Sequence, residues 1–112
     1  MKASRALGGA AFLIVALYGV SVYAAEDHPS ALFKEYCAKC HGEDGKAQTP
    51  KGKQLKAQNF TDAEFQEKKS DAELIKTVTE GGMDMPSFGK KLSKEQIESL
   101  VKQDVRGFRP KG

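Results

Sequence analysis

The sequence predicts a small all-α fold, on three observations. Capping-box signatures, a hydroxyl followed three residues later by Glu or Gln, occur at Thr61–Glu64, Ser70–Glu73 and Ser93–Gln96. Apolar residues behind these starts recur at the spacing of one helix face. Beyond the amino-terminal segment, no stretch alternates apolar with polar residues as a half-buried strand would. A chain of 112 residues holds one such domain.

Residues 1–24 read as a signal peptide and residues 25–112 as the domain. Lys2 and Arg5 make a basic start, Ala10–Val20 an apolar centre and Val22-Tyr23-Ala24 a cleavage-type end, which places the cut after Ala24. The alternative is an uncleaved anchor, because Ala6 to Ala25 carries no charge and ~20 apolar residues cross a bilayer. The domain is therefore expected to be exported and periplasmic, or held at the outer face of the inner membrane. Removing Lys2 and Arg5 leaves 16 basic against 15 acidic residues, so the formal charge falls from +3 to +1. That balance excludes a nucleic-acid partner, which needs a basic stripe on a strongly positive domain. Acidic and basic residues are mixed along the chain, and most of them form a solvated surface.

The first helix is expected over Ser30–Lys39. Pro29 suits a first turn, and Leu32, Phe33, Tyr36 and Cys37 follow at helical spacing. Its end runs into Cys37-Ala38-Lys39-Cys40-His41, which contains both cysteines of the chain. C-x-x-C-H is the pattern of covalent haem attachment. Thiols three positions apart on a helix share a face, so both can reach the two vinyl groups on one haem edge. The imidazole that follows can then bind the iron. Phe33, one turn before Cys37, is placed beside that edge.

Three other readings of the pentapeptide compete. A structural zinc site needs four ligands, and only His28 is left to join Cys37, Cys40 and His41. A simple disulfide suits an exported protein. A thioredoxin-like redox motif needs a βαβ pattern, which is not visible. The haem reading also accounts for a domain with no tryptophan and few long apolar side chains, whose core a large flat cofactor would fill.

From Gly42 to Gln58 the chain is polar and punctuated by Gly42, Gly45, Pro50 and Gly52, so a loop is expected. A ligating histidine usually donates its second ring N–H to an acceptor, and the Pro50 carbonyl is a candidate. Thr61 then caps a short helix, with Phe60 set against Phe65 as a staple. Ser70 caps a second, with Leu74, Ile75 and Val78 on its apolar face and Gly81-Gly82 at its end. Ser93 caps the last, in which Ile97, Leu100, Val101 and Val105 share one side before Gly107 and Phe108.

Between the last two helices lies Gly81-Gly82-Met83-Asp84-Met85-Pro86-Ser87-Phe88-Gly89, too rich in glycine and proline to be helical. Two methionines in such a loop call for a task for sulfur, and a thioether is a soft ligand suited to haem iron. Pro86 restricts the backbone of Met85 to an extended form and so fixes its direction. Met83 is the rival ligand, and filling a core gap is the plain alternative for both.

Together these residues resemble the class I c-type cytochromes, small single-haem electron carriers of bacteria and organelles. The resemblance runs from about Ser30 to Phe108. It rests on Cys37-Ala38-Lys39-Cys40-His41-Gly42, Phe33 four residues earlier, Met85-Pro86-Ser87-Phe88, and the final Leu92-to-Phe108 helix. It implies a compact cytochrome c fold of about four helices around one covalently bound haem c per chain. Cys37 and Cys40 would carry the thioethers, with His41 and Met85 as the axial ligands of the iron. The first and last helices would cross near a haem edge. The family usually has an aromatic residue in the last helix where this chain has Asp104, which leaves Phe108 or Val101 to take over the packing. The loop after His41 is shorter than in mitochondrial relatives, closer to the compact bacterial members.

The function so implied is electron transfer between exported or membrane redox partners by a monomer, without enzymatic turnover. Partners would dock transiently, with Lys39, Lys46, Lys51, Lys53, Lys90 and Lys91 as candidates for steering. One alternative is a tethered or dedicated electron-transfer subunit of an oxidase or dehydrogenase. The other is a haem sensor or peroxidase with an open sixth site.

Overall fold

The computed structural model describes residues 27–111. The predicted signal peptide, and the choice between its cleavage and an anchor, lies outside them. No helix among the described residues is long and apolar enough to cross a membrane. The domain is built from α1 (Ala31–Tyr36), α2 (Ala38–His41), α3 (Pro50–Leu55), α4 (Ala63–Lys68), α5 (Asp71–Glu80) and α6 (Lys94–Ser99). A π-helical segment, Leu100–Val105, continues α6, and a 3₁₀ turn, Arg106–Phe108, ends it. The described residues contain no strand, only an isolated bridge between Gly82 and Met85.

The first helix starts where expected, with the Ser30 hydroxyl accepting from the Phe33 N–H at 3.2 Å. At Cys37 it jogs into α2, because Cys37 ends one helix with φ −119° and begins the next. The backbone stays bonded through the jog: Cys37 N–H donates to Phe33 at 2.8 Å and His41 N–H to Cys37 at 3.0 Å.

The stretch expected as loop from Gly42 to Gln58 contains α3. Thr49 caps it, accepting from Gly52 N–H at 2.8 Å, and Pro50 occupies the first turn. The same hydroxyl donates to the Lys39 carbonyl at 2.6 Å, which ties α3 to the end of α2. Gly52 is buried in that contact, and a Cβ on it would collide with the Cys40 carbonyl oxygen.

α4 is capped by Asp62 rather than by Thr61. The Thr61 hydroxyl is engaged elsewhere, donating to Asn59 Oδ1 at 2.7 Å, while Asp62 accepts from Glu64 N–H at 3.0 Å. The expected staple forms, with the Phe60 and Phe65 rings 5.7 Å apart. Both remaining capping boxes are complete, Ser70 with Glu73 and Ser93 with Gln96.

The core joins Phe33, Phe60, Leu74, Val78, Phe88 and Leu92 to Ile97, Leu100, Val101 and Val105 of the last helix. Asp104 stands at the crossing, 2% exposed. Its carboxylate accepts from the backbone N–H and the hydroxyl of Ser30, at 2.7 and 2.8 Å. The aromatic contact is supplied one turn later by Phe108, whose ring lies 5.3 Å from Phe33, while Val101 is fully buried.

Arg106 clamps the other side of the last helix. Its guanidinium reaches Asp71 at 2.8 Å, the Gln66 carbonyl at 3.0 Å, Gln66 Oε1 at 2.9 Å and the Lys69 carbonyl at 2.6 Å. Gln66, itself buried, donates to the carbonyls of Phe60 and Val105 at 2.8 and 2.9 Å. The junction of α4 and α5 is thereby fixed to the end of the chain.

Candidate functional site

The jog at Cys37, the end of α3 and the methionine loop surround one cavity of about 560 Å³. That is the size of a cofactor pocket. Cys37, Cys40, His41 and Met85 all line it, so the fold brings the four sequence-expected residues to one place. Met83 lines it as well. Leu55 at the end of α3 and Ala57 just beyond it add apolar wall, in the stretch that the sequence reading left as loop. Tyr36 packs edge-on against Phe88 within the same lining, ring centroids 6.0 Å apart. Phe33 belongs instead to the packing behind the cavity, against Phe60 and Phe108.

His41 is fixed on two sides. Its ring stacks on Phe60 at 4.3 Å with 18° between the planes, and its Nδ1 lies 2.9 Å from the Gln58 carbonyl. Gln58, not Pro50, therefore takes the ring N–H, because Pro50 is used to start α3. With Nδ1–H donating, Nε2 carries the free lone pair. Burial lowers the imidazole's pKa, partly opposed by the Gln58 bond, so the ring is held neutral. A neutral imidazole with one nitrogen engaged is the form that binds a metal.

Cys37 and Cys40 form no disulfide with each other and are half-buried on the cavity wall. Burial pushes the Cys37 thiol up to about 12, with smaller contributions from the charge of Asp104 and from Cys40. Zinc finds no support: among the described residues no three His, Cys, Asp or Glu side chains converge on one point. His28 lies 2.9 Å from the Asp104 carbonyl and packs on Phe108 at 4.4 Å.

The two methionines differ sharply. Gly82 and Met85 exchange backbone hydrogen bonds of 3.0 and 2.7 Å, which closes a tight turn with Met83 and Asp84 at its tip. Met83 is fully exposed there, with φ +49°. Met85 is half-buried and packs against the core. The loop is pinned to α5 by Phe88 N–H on the Val78 carbonyl at 2.9 Å and Gly89 N–H on Thr79 at 3.0 Å. A mostly apolar cavity walled by paired thiols, a neutral imidazole and thioether sulfur fits haem.

Known proteins agree with that fit. Residues 24–102 match the family model described as cytochrome c oxidase, cbb3-type, subunit III. The c-type cytochrome KustC0563 superposes with a TM-score of 0.65 and 42% identity, over 70% of this chain and 94% of that one. Cytochrome c6 of Aphanizomenon flos-aquae is 37% identical over 76 residues, 64% of this chain and 78% of that protein. The cbb3-type cytochrome c oxidase subunit FixP of Azorhizobium caulinodans is 35% identical over 71 residues, 62% of this chain. The match spans only 23% of that subunit's length. Fold, cavity and relatives converge: the chain belongs to the c-type cytochromes, in the family described as cbb3-type cytochrome c oxidase subunit III, and is an electron-carrier domain with covalently bound haem c.

Proposed function

We propose that Cys37 and Cys40 carry the two haem thioethers, that His41 Nε2 and the Met85 sulfur are the axial ligands, and that the protein shuttles single electrons between exported redox partners. The observation that carries this reading is His41, buried and neutral, with Nδ1 committed to Gln58 and both thiols and Met85 on the same cavity wall. A haem held there would supply a one-electron couple, and His41 with Met85 as its ligands would set that couple at higher potential.

The chain's residues do the rest. Phe60 and the Gln58 carbonyl orient the imidazole, and Pro86 with the Gly82–Met85 turn directs the thioether. Leu55, Ala57 and Phe88 give the cavity apolar wall. With His41 and Met85 both holding the iron, no ligand position would be left for a substrate, which suits a carrier rather than an enzyme. Lys39, Lys51 and Lys56 line the same cavity and are exposed, a basic rim suited to steering an acidic redox partner into a brief encounter. The domain works in the periplasm, as its amino-terminal segment proposes.

The likeness to FixP favours a second reading of the biology with the same chemistry: a dedicated electron-transfer subunit of an oxidase. Co-purification separates the two, since a shuttle elutes alone and a subunit holds its complex. The ligand set is tested by the ferric spectrum of three proteins. Wild type and Met83→Ala should both show the weak red absorption of an iron–thioether bond, and Met85→Ala should lose it. Loss in Met83→Ala with retention in Met85→Ala would reverse the ligand assignment.

A further inference from the structure

The last helix carries one buried charged group that the haem site does not use. Asp104 is 2% exposed, within the π segment that crosses α1. Each carboxylate oxygen accepts one hydrogen bond, Oδ1 from Ser30 N–H at 2.7 Å and Oδ2 from the Ser30 hydroxyl at 2.8 Å. Two accepting oxygens and no donated bond are the pattern of an ionised carboxylate. The ion pairs among the described residues join Lys68 to Glu64 and Arg106 to Asp71, and neither includes Asp104. His28 meets the backbone carbonyl of Asp104 rather than its carboxylate. The two Ser30 bonds thus solvate the charge without neutralising it.

An apolar side chain at this crossing would pack without cost, whereas a buried carboxylate lacking a counter-charge costs stability. Its position gives the charge an object. Ser30 begins α1 and Cys37 ends it, so the carboxylate stands one short helix, ~9 Å for its six residues, from the sulfur wall of the cavity. Burial shields it from salt, so its field acts at that range with little screening. Reduction adds one electron from the donor to the iron centre and breaks no bond, so a fixed negative charge nearby favours the oxidised side.

We propose that Asp104 is a potential-setting residue: a fixed, uncompensated negative charge behind the thioether edge that lowers the haem's reduction potential against the upward pull of the methionine ligand. This rests on haem attachment through Cys37 and Cys40.

Redox titration of the haem-loaded protein and two variants tests it. Asp104→Asn keeps the shape and removes the charge. Its ferrous-to-ferric equilibrium constant should rise about tenfold, ~59 mV for a one-electron couple. Ser30→Ala keeps the charge and removes one of its donors, so its potential should fall, by less than ~59 mV. A residue that only held α1 in place would destabilise the fold in both variants without moving the potential in opposite directions. An unchanged or lowered potential in Asp104→Asn overturns the proposal. Should that variant fail to fold, a lowered potential in Ser30→Ala upholds it and an unchanged or raised one overturns it. Acid-acetone extraction of the same wild-type sample separates this inference from the attachment on which it rests. Haem extracted from the chain overturns both, and haem retained with an unmoved potential overturns this one alone.

Discussion

Met83 and Met85 stand two positions apart and differ in everything the iron would need. Met83 sits at a turn tip in the left-handed region, fully exposed, while Met85 is half-buried against the core and backed by Pro86. Truncating Met85 should therefore lower the reduction potential and admit carbon monoxide to the ferrous protein, whereas Met83→Ala should leave both potential and spectrum unchanged. A carbon monoxide difference spectrum of each variant checks this. The sequence favoured Met85 through its following proline, which is a backbone constraint written in residue identity. The partner of His41 was not legible in the same way. A carbonyl belongs to every residue, so nothing in the sequence distinguishes Gln58 from Pro50 as acceptor, and only the course of α3 decides it.

The elements with side-chain caps were readable, because Ser70 with Glu73 and Ser93 with Gln96 mark their own starts. α3 carried a start signal too, Thr49 before Pro50, but glycine and lysine behind it hid any apolar period. Gly52 is there for a packing reason: only a residue without Cβ lets α3 approach the Cys40 carbonyl. Gly52→Ala should cost about 1–3 kcal/mol, as overpacking does, and should disturb the haem spectrum because Cys40 must move. Thermal melts and visible spectra of Gly52→Ala and wild type give the comparison. At the other end, Arg106→Ala strips the α4–α5 junction of its hold on the last helix. A loss of about 2–3 kcal/mol is expected from charged hydrogen bonds, read by denaturant titration, with the ferric spectrum unchanged because the clamp lies away from the cavity.

At the scale of the molecule, the cofactor is part of the core. With a cavity of about 560 Å³ beside it, the apolar core has few contacts of its own to set against the entropy of ordering the chain. The haem-free Cys37→Ala/Cys40→Ala protein should be largely disordered by circular dichroism, since a group bound only by the native state stabilises it by mass action. A sharp, native-like melt in that variant would show that the helices hold themselves. The all-α class was legible at this scale because helical spacing is local. The Asp104 crossing was not, because Ser30 and Asp104 are 74 residues apart and no local pattern joins them.

The central claim, a carrier whose iron has both axial positions filled by His41 and Met85, is tested most directly by adding carbon monoxide to the reduced wild-type protein. The account predicts a ferrous spectrum that carbon monoxide leaves unchanged. A ready shift to a carbon monoxide adduct would show an open sixth position and replace the carrier with a sensor or an enzyme.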